Sequence, residues 1–269
     1  YVGDMFPGVS AVYGEGNIGC TYDFVFTTNV AVFWGCNPNT SRIPDAHYLW
    51  EGKYNGSKII VITPEFNSTA IHADLWVPVK AGYDGHLALS IVHRIVEKKL
   101  YKPEFLKEYT DLPLLVRTDT KELVRLSDID VKAKDVDAKS VELFAKPDHP
   151  HDCFLAFNTR TKKFTVMPGS EGSSVETLRL ADLDWDIDPA LNGRWQITLK
   201  DGTKAKVTTA FELFKQELAA FSPEKMKALT GVHPVVVDEL AKDLTQAKVA
   251  LITMGFAVVA FESVLSSVS

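Results

Sequence analysis

An α/β fold organised on a doubly wound parallel sheet is predicted by three features of the sequence. The runs Val30–Trp34 and Lys58–Ile62 are almost wholly apolar, as strands buried on both faces of a parallel sheet are. Each run stops abruptly in Gly, Pro, Asn or Thr, as a strand does on entering a loop. From residue 24 to about 110, strand-like and helix-like stretches then alternate, the pattern of a parallel sheet with helices on both faces. To this the sequence adds a small excursion containing β-hairpins and, near its end, the start of a second α/β unit.

The elements follow in order. Residues 1–23 hold Gly3, Gly8, Gly14, Gly16 and Gly19, a density that denies a regular element. After the first strand, Pro44 suits the first turn of a helix, with Ala46, Leu49, Trp50 and Tyr54 spaced to share one face. Asn55–Gly56 stops it. The second strand covers 58–63, a short helix 68–73 and a short strand 75–79. A turn over 82–85 places Asp84 at the head of a helix to Lys98, with Leu87, Ile91 and Ile95 inward and Lys98 and Lys99 suited to the dipole at its end. Pro103–Tyr109 is a further helix.

Residues 128–152 are charged and weakly periodic. Hairpins are expected over 153–166, around Asn158–Thr159–Arg160–Thr161, and over 195–207, where Asp201–Gly202 is a strong turn signal. An amphipathic helix follows over 209–218. Ser222 and Pro223 then open a helix as N-cap and first turn. Helix Pro234–Gln246 leads into a strand over 249–254. The expected domains are a glycine-rich loop (1–23), a nucleotide-type α/β domain (24–125), the excursion (126–221) and the start of the next unit (222–269).

A chain of 269 residues with formal charge −6 can bury a sizeable core and lacks the basic surface that nucleic acid requires. No apolar run reaches the ~18 residues of a membrane-spanning helix. Cys20, Cys36 and Cys153 are odd in number and widely spaced, which suits buried thiols better than disulfides or a four-cysteine metal site. A first residue of Tyr1 rather than Met, and an apolar segment near the end, suggest a piece of a longer chain.

Read from the residues alone, the loop 35–42 is either a phosphate cradle or an ordinary βα loop. Gly35 permits close backbone approach, Asn37, Asn39, Thr40 and Ser41 carry hydrogen-bonding groups, and Arg42 carries a positive charge. Glu65, at the end of the second strand, is either a ribose- or base-binding carboxylate or a solvated one. Asp84 is at least a helix N-cap. His47, His72, His86 and His93 lack metal-ligand spacing, and the run His149–Pro150–His151–Asp152–Cys153 lies in the charged stretch.

The strings Thr40–Ser41–Arg42–Ile43–Pro44–Asp45–Ala46–His47 and Trp50–Glu51–Gly52–Lys53–Tyr54–Asn55–Gly56 resemble catalytic (alpha) subunits of the DMSO reductase family of molybdenum enzymes. So do Ile71–His72–Ala73–Asp74–Leu75–Trp76 and Asp188–Pro189–Ala190–Leu191–Asn192–Gly193. The resemblance runs through nearly the whole chain and is strongest for the nitrate reductase/nitrite oxidoreductase branch, which also holds perchlorate, selenate and chlorate reductases and hydrocarbon dehydrogenases. Gly14–Glu15–Gly16–Asn17–Ile18–Gly19–Cys20 and Cys36–Asn37–Pro38–Asn39 are similar to nitrite oxidoreductases of the anammox type.

The resemblance implies one segment of a much longer subunit, with a Rossmann-like domain gripping half of a molybdenum–bis(molybdopterin guanine dinucleotide) cofactor. By that likeness Trp34, Gly35, Cys36, Asn37, Thr40 and Arg42 line the pterin–pyrophosphate side. Thr63, Pro64 and Glu65 meet the guanosine, Glu65 standing where the family more often has Asp. Gly82 and Asp84 match a Gly-Thr-Asp loop in which Tyr83 replaces Thr. Asp4, in Gly3–Asp4–Met5, is the candidate metal residue here, although the family pattern puts its ligating aspartate just upstream of such a segment. The family's iron–sulfur motif is absent from these residues and is expected elsewhere in the parent chain. The implied reaction is oxygen-atom transfer between nitrite and nitrate, the isolated segment being inactive; a related perchlorate, selenate or chlorate reductase or hydrocarbon dehydrogenase is the alternative, and a non-catalytic cofactor-binding or assembly module is the alternative of another class. The implied partners are an iron–sulfur beta subunit and often a haem gamma subunit. The implied location is extracytoplasmic (periplasm or anammoxosome lumen), with the cytoplasmic face as the alternative.

Overall fold

A computed structural model of the chain describes residues 22–144, 153–167 and 186–255. In chain order these form β1 (Val30–Trp34), α1 (Pro38–Ser41), α2 (Ile43–Tyr54), β2 (Lys58–Ile62), β3 (Leu75–Val77), α3 (Asp84–Glu97) and α4 (Pro103–Tyr109). There follow β4 (Leu115–Arg117), α5 (Ala138–Phe144), β5 (Leu155–Asn158), β6 (Lys163–Val166), β7 (Arg194–Thr198), β8 (Lys204–Thr209) and α6 (Ala210–Leu218). The last described elements are α7 (Pro223–Thr230), α8 (Pro234–Gln246) and β9 (Ala250–Met254). The chain divides into two compact units, one formed by residues 1–100 and 218–269, the other by residues 101–217.

The first unit holds a four-stranded sheet in the order β3-β2-β1-β9, parallel throughout. The apolar runs of β1 and β2 give burial on both sheet faces. Val30, Val32, Trp34, Ile60 and Ile62 pack with Leu87 and Ile91 of α3 and with Val237, Leu240 and Ala241 of α8. The alternate residues Ala31, Phe33, Ile59 and Val61 pack with Leu49 of α2 and with Val25. Phe33, Leu49, Ile60 and Leu87 are fully enclosed, and each such side chain contributes roughly 1.5–3 kcal/mol of transfer free energy. The α/β stretch that opens at Ser222 returns to this same sheet. Its strand β9 lies beside β1, with Val30 opposite Ala250 and Trp34 opposite Met254.

Local chemistry fixes the ends of these elements. Asn55 caps α2, and Gly56 follows in the left-handed region at φ +97°, where a side chain would be strained. Two expected details differ. Tyr54 is 81% exposed, because the buried face of α2 is Ala46, Leu49 and Gly52, the last packed against Val25, and the turn of ~100° per residue carries Tyr54 away from it. Ser222 occupies the N-cap of α7 without a side-chain capping bond, so Pro223 carries that helix start. Among ionic contacts, Arg94 of α3 holds Glu97, Glu224 and Asp238, which ties α3 to α7 and α8. Lys58 of β2 holds Glu239 and Asp243 of α8 at 2.7 and 2.6 Å.

The second unit holds a three-stranded sheet in the order β4-β8-β7 and the hairpin β5-β6, both antiparallel. Leu115, Ile129, Leu155, Phe164, Ile197 and Val207 share its core. Both hairpins predicted from turn chemistry are present, the second reversing at Asp201–Gly202, with Gly202 at φ +82°.

Candidate functional site

The parallel sheet brings the carboxyl ends of β1, β2, β3 and β9 to one edge, and most of the candidate binding residues named above sit in the loops that leave it. In open α/β sheets, ligands bind outside the carboxyl ends of the strands where the strand order reverses. Here the chain moves outward from β1 to β2 and β3 and later returns to the other flank of β1 with β9. The loop after β1 therefore lies at the reversal.

Glycine chemistry shapes that loop. Gly35 is left-handed, at φ +62°, and its N–H donates to the Ile62 carbonyl at 2.9 Å. Gly255, after β9, donates its N–H to the Trp34 carbonyl at 2.8 Å. A Cβ at position 255 would lie 2.0 Å from the Gly35 oxygen, so the two loops meet only because residue 255 has no side chain. On the other flank, Gly82 is left-handed at φ +84° with nothing within 4 Å of where a Cβ would stand. Its backbone is open to a ligand.

Several candidates are committed to the protein itself. Trp34 is buried in the core and donates its indole N–H to Asp84 Oδ1 at 2.7 Å. Asp84 is the first residue of α3, and Tyr83 takes the N-cap position without a side-chain bond. The expected N-cap role of Asp84 is thus replaced by a buried tie to β1. The carbonyl of Thr63 accepts from the Trp76 indole, and its hydroxyl donates to the Glu65 carbonyl at 2.8 Å. Asn37 accepts from Ser68 and Thr69 through Oδ1 and donates to Thr40 Oγ1 at 3.1 Å. Thr40 Oγ1 lies 3.0 Å from Ser68 Oγ. Asn39 donates to the Ser68 carbonyl and accepts from the Trp50 indole. These bonds hold the loop after β1 against the loop after β2. Ser68, Thr69 and Trp50 were not apparent as part of this network in the sequence, where nothing local marks them.

Cys36 donates Sγ–H to the Thr253 carbonyl at 3.6 Å. Burial pushes its thiol up to about 12, against a smaller lowering by the Arg42 guanidinium. A thiol raised in this way is held in its protonated, weakly nucleophilic form. The groups facing solvent at this edge include Thr40, Ser41, Arg42, Pro64, Glu65, Phe66 and Gly82, with the Arg42 guanidinium 3.9 Å from Asp45. Asp4 lies outside the described residues, as do His149, His151 and Asp152. Among the described residues no three His, Cys, Asp or Glu side chains cluster as a metal site would require.

No family model matches the chain. Individual relatives do. The chlorate reductase alpha subunit of Ideonella dechloratans is 37% identical over 254 residues, which is 94% of this chain and 25% of that protein. The dimethylsulfide dehydrogenase alpha subunit of Rhodovulum sulfidophilum is 38% identical over 255 residues, 95% of this chain and 25% of that protein. The respiratory nitrate reductase alpha subunit of Haloferax mediterranei is 31% identical over 252 residues, 94% of this chain and 24% of that protein. The chain belongs to the DMSO reductase family of molybdopterin oxidoreductases. It spans about a quarter of the length of these relatives.

A dinucleotide of the kind this family implies can be tested against the residues present. The guanosine side fits. Glu65 is an exposed carboxylate able to accept from the N1–H and N2–H₂ edge of guanine, and Gly82 leaves its backbone clear. On the pyrophosphate side, the Gly35 N–H is already given to Ile62, so the Arg42 charge is the group suited to a phosphate, whereas the side chains of Trp34, Asn37 and Thr40 hold the loops together.

Proposed function

We propose that this chain is the cofactor-gripping segment of the catalytic alpha subunit of a molybdenum oxidoreductase, and that the whole enzyme interconverts nitrite and nitrate. The observation that carries the reading is the row of Gly35, Glu65 and Gly82 along one carboxyl edge of a parallel sheet, in a chain of this family. Glu65 would hold the guanine, Gly82 would let the nucleoside approach the backbone, and Arg42 would face the pyrophosphate. Trp34, Asp84, Asn37 and Thr40 would position these groups without touching the ligand. When bound, molybdenum–bis(molybdopterin guanine dinucleotide) would supply the two-electron, oxygen-atom exchange. The choice of nitrite and nitrate rests on the sequence strings that resemble the nitrite oxidoreductases and on the nitrate reductase relative. An iron–sulfur beta subunit would carry the electrons.

Two measurements on the full-length protein test this. Glu65→Ala should lower both the molybdenum and the guanine nucleotide recovered per polypeptide several-fold, while Glu65→Gln, which keeps one acceptor, should lower them less. Unchanged content in Glu65→Ala would remove the guanine assignment. Comparing kcat/KM for nitrite, chlorate and dimethylsulfide should favour nitrite; a preference for either of the others would reassign the substrate.

A further inference from the structure

The second unit carries a feature that the cofactor reading does not use. An open groove of about 780 Å³ lies against the sheet β4-β8-β7, and among the described residues its lining includes Lys121, Arg194 and Lys206 but no Asp or Glu. This inverts the charge of a chain that is acidic as a whole. Three separate segments supply the cations. Arg194 is on β7 and Lys206 on β8, where the register sets Gln196 opposite Lys206 and Arg194 opposite Thr208. Residues 194, 196 and 206 are all exposed, as alternation along paired strands requires for one outward face. Lys121 joins them from the turn after β4, held left-handed at φ +63°. That turn is fixed to β8 by the Thr118 N–H, which donates to the Lys206 carbonyl at 3.0 Å.

Elsewhere in this unit Lys107, Arg117, Arg160 and Lys215 each hold a carboxylate. Among the described residues Lys121, Arg194 and Lys206 hold none. Like charges gathered on one sheet face destabilise it unless something of opposite sign is near. The groove is open along its length, as a polypeptide-binding face is and an enclosed small-molecule pocket is not. Trp195 and Val207, which alternate with Arg194, Gln196 and Lys206 along the strands, turn to the core side of the sheet, where Trp195 stacks on Phe157 at 4.4 Å.

We propose that this groove docks an acidic segment of a partner polypeptide, whose carboxylates meet Lys121, Arg194 and Lys206. The choice of occupant rests on charge complementarity: among the described residues the lining offers cations and amides and no acid. The proposal does not depend on what the first unit binds.

The test uses the full-length protein with its natural partners. A photo-crosslinking p-benzoylphenylalanine at position 196 should join the chain to an Asp- and Glu-rich stretch of another polypeptide, identified by mass spectrometry. The triple reversal Lys121→Glu, Arg194→Glu, Lys206→Glu should lower recovery of that polypeptide at least ten-fold, with molybdenum content unchanged. Lysines placed in the cross-linked stretch should restore the recovery. The milder Lys206→Gln, on an exposed side chain, keeps the test valid should the triple variant misfold. It should weaken association and flatten its dependence on salt. A crosslink to a second copy of this chain, to nucleic acid or to a stretch without carboxylates would overturn the proposal. So would an intact complex that gives no crosslink, or association indifferent to Lys206→Gln and to salt.

Discussion

The buried bond from the Trp34 indole to Asp84 is the most exposed point of the reasoning, because it assigns two expected ligand-facing residues to structure instead. Donor and acceptor lie 2.7 Å apart, in buried surroundings and 50 residues apart in sequence, so the bond ties the end of β1 to the start of α3. Asp84→Ala leaves the indole N–H without a partner in the core. The cost of such an orphaned donor is about 1–3 kcal/mol, and a bond to a charged acceptor is worth about 1.5–3 kcal/mol. A central figure of ~2 kcal/mol raises local opening roughly 30-fold. Asp84→Asn keeps Oδ1 as a neutral acceptor and should cost about half as much, since charge-assisted bonds are roughly twice as strong. Trp34→Phe removes the donor, and the double variant Trp34→Phe, Asp84→Ala removes both halves, so its effect should fall well short of the sum. The assay is hydrogen exchange by mass spectrometry on the full-length protein, following peptides that cover β1 and α3, with β7 and β8 as the internal control. Local opening of α3 is the readout, which avoids assuming that a multidomain protein unfolds in two states. Exchange in Asp84→Ala within about three-fold of the parent, an order below the expected factor, would refute the argument. So would strictly additive effects.

Two further predictions follow from the same unit. With its thiol pushed up to about 12 by burial, Cys36 is about one part in ten thousand thiolate at pH 8. Its labelling by iodoacetamide, read by peptide mass spectrometry, should be at least ~100-fold slower than that of a free thiol; equal rates would show that the side chain is open to solvent. Asp74 accepts from the Ile59 N–H at 2.8 Å and pairs with Lys53 at 2.8 Å. Burial raises its carboxyl, but Lys53 and that N–H outweigh burial and leave it below the ordinary value. A group lowered by folding stabilises the fold fully above the unfolded value of about 3.9 and loses that contribution as pH falls through the folded value. Protection of β2 amides, corrected for intrinsic exchange, should therefore decline below about pH 4, and Asp74→Asn should remove part of that acid sensitivity. An identical acid profile in the variant would count against the tie.

Much of the fold was legible because its signals are local. Apolar runs buried on two faces marked β1 and β2, Asp201–Gly202 marked the β7–β8 turn, and Pro234 marked the start of α8. What escaped depends on distance along the chain. Nothing near residue 250 states that β9 will pair with Val30–Trp34, so the final strand read as the opening of another unit. The same limit applies to side chains. Spacing from Trp50 put Tyr54 on the buried face of α2, but that face centres on Ala46, Leu49 and Gly52, and Tyr54 turns away from it. The residue types in the loop 35–42 were right for a polar loop, yet their partners, Ser68 and Thr69, come from the next strand's loop and carry no signal at positions 37 or 40.

This distribution of partners bears on how such a site would recognise its ligand. If Asn37 and Thr40 lined the ligand directly, the loop after β1 would have to shape itself around each ligand while its own polar groups remained unpaired. In the structure those groups are already satisfied across two loops, and the chain is pressed against β9 at the Gly35–Gly255 approach, where a single methyl group would collide with backbone. The loop is therefore set before any ligand arrives, and preorganisation lowers the ordering cost of binding. What this edge still presents to a ligand includes the Glu65 carboxylate and the open backbone at Gly82. A site built this way would grip one constant ligand and vary little with the reaction performed. That is the behaviour expected of the cofactor cradle proposed above, and under that proposal the choice among substrates as different as those that name the relatives, chlorate, dimethylsulfide and nitrate, would fall to residues outside this edge.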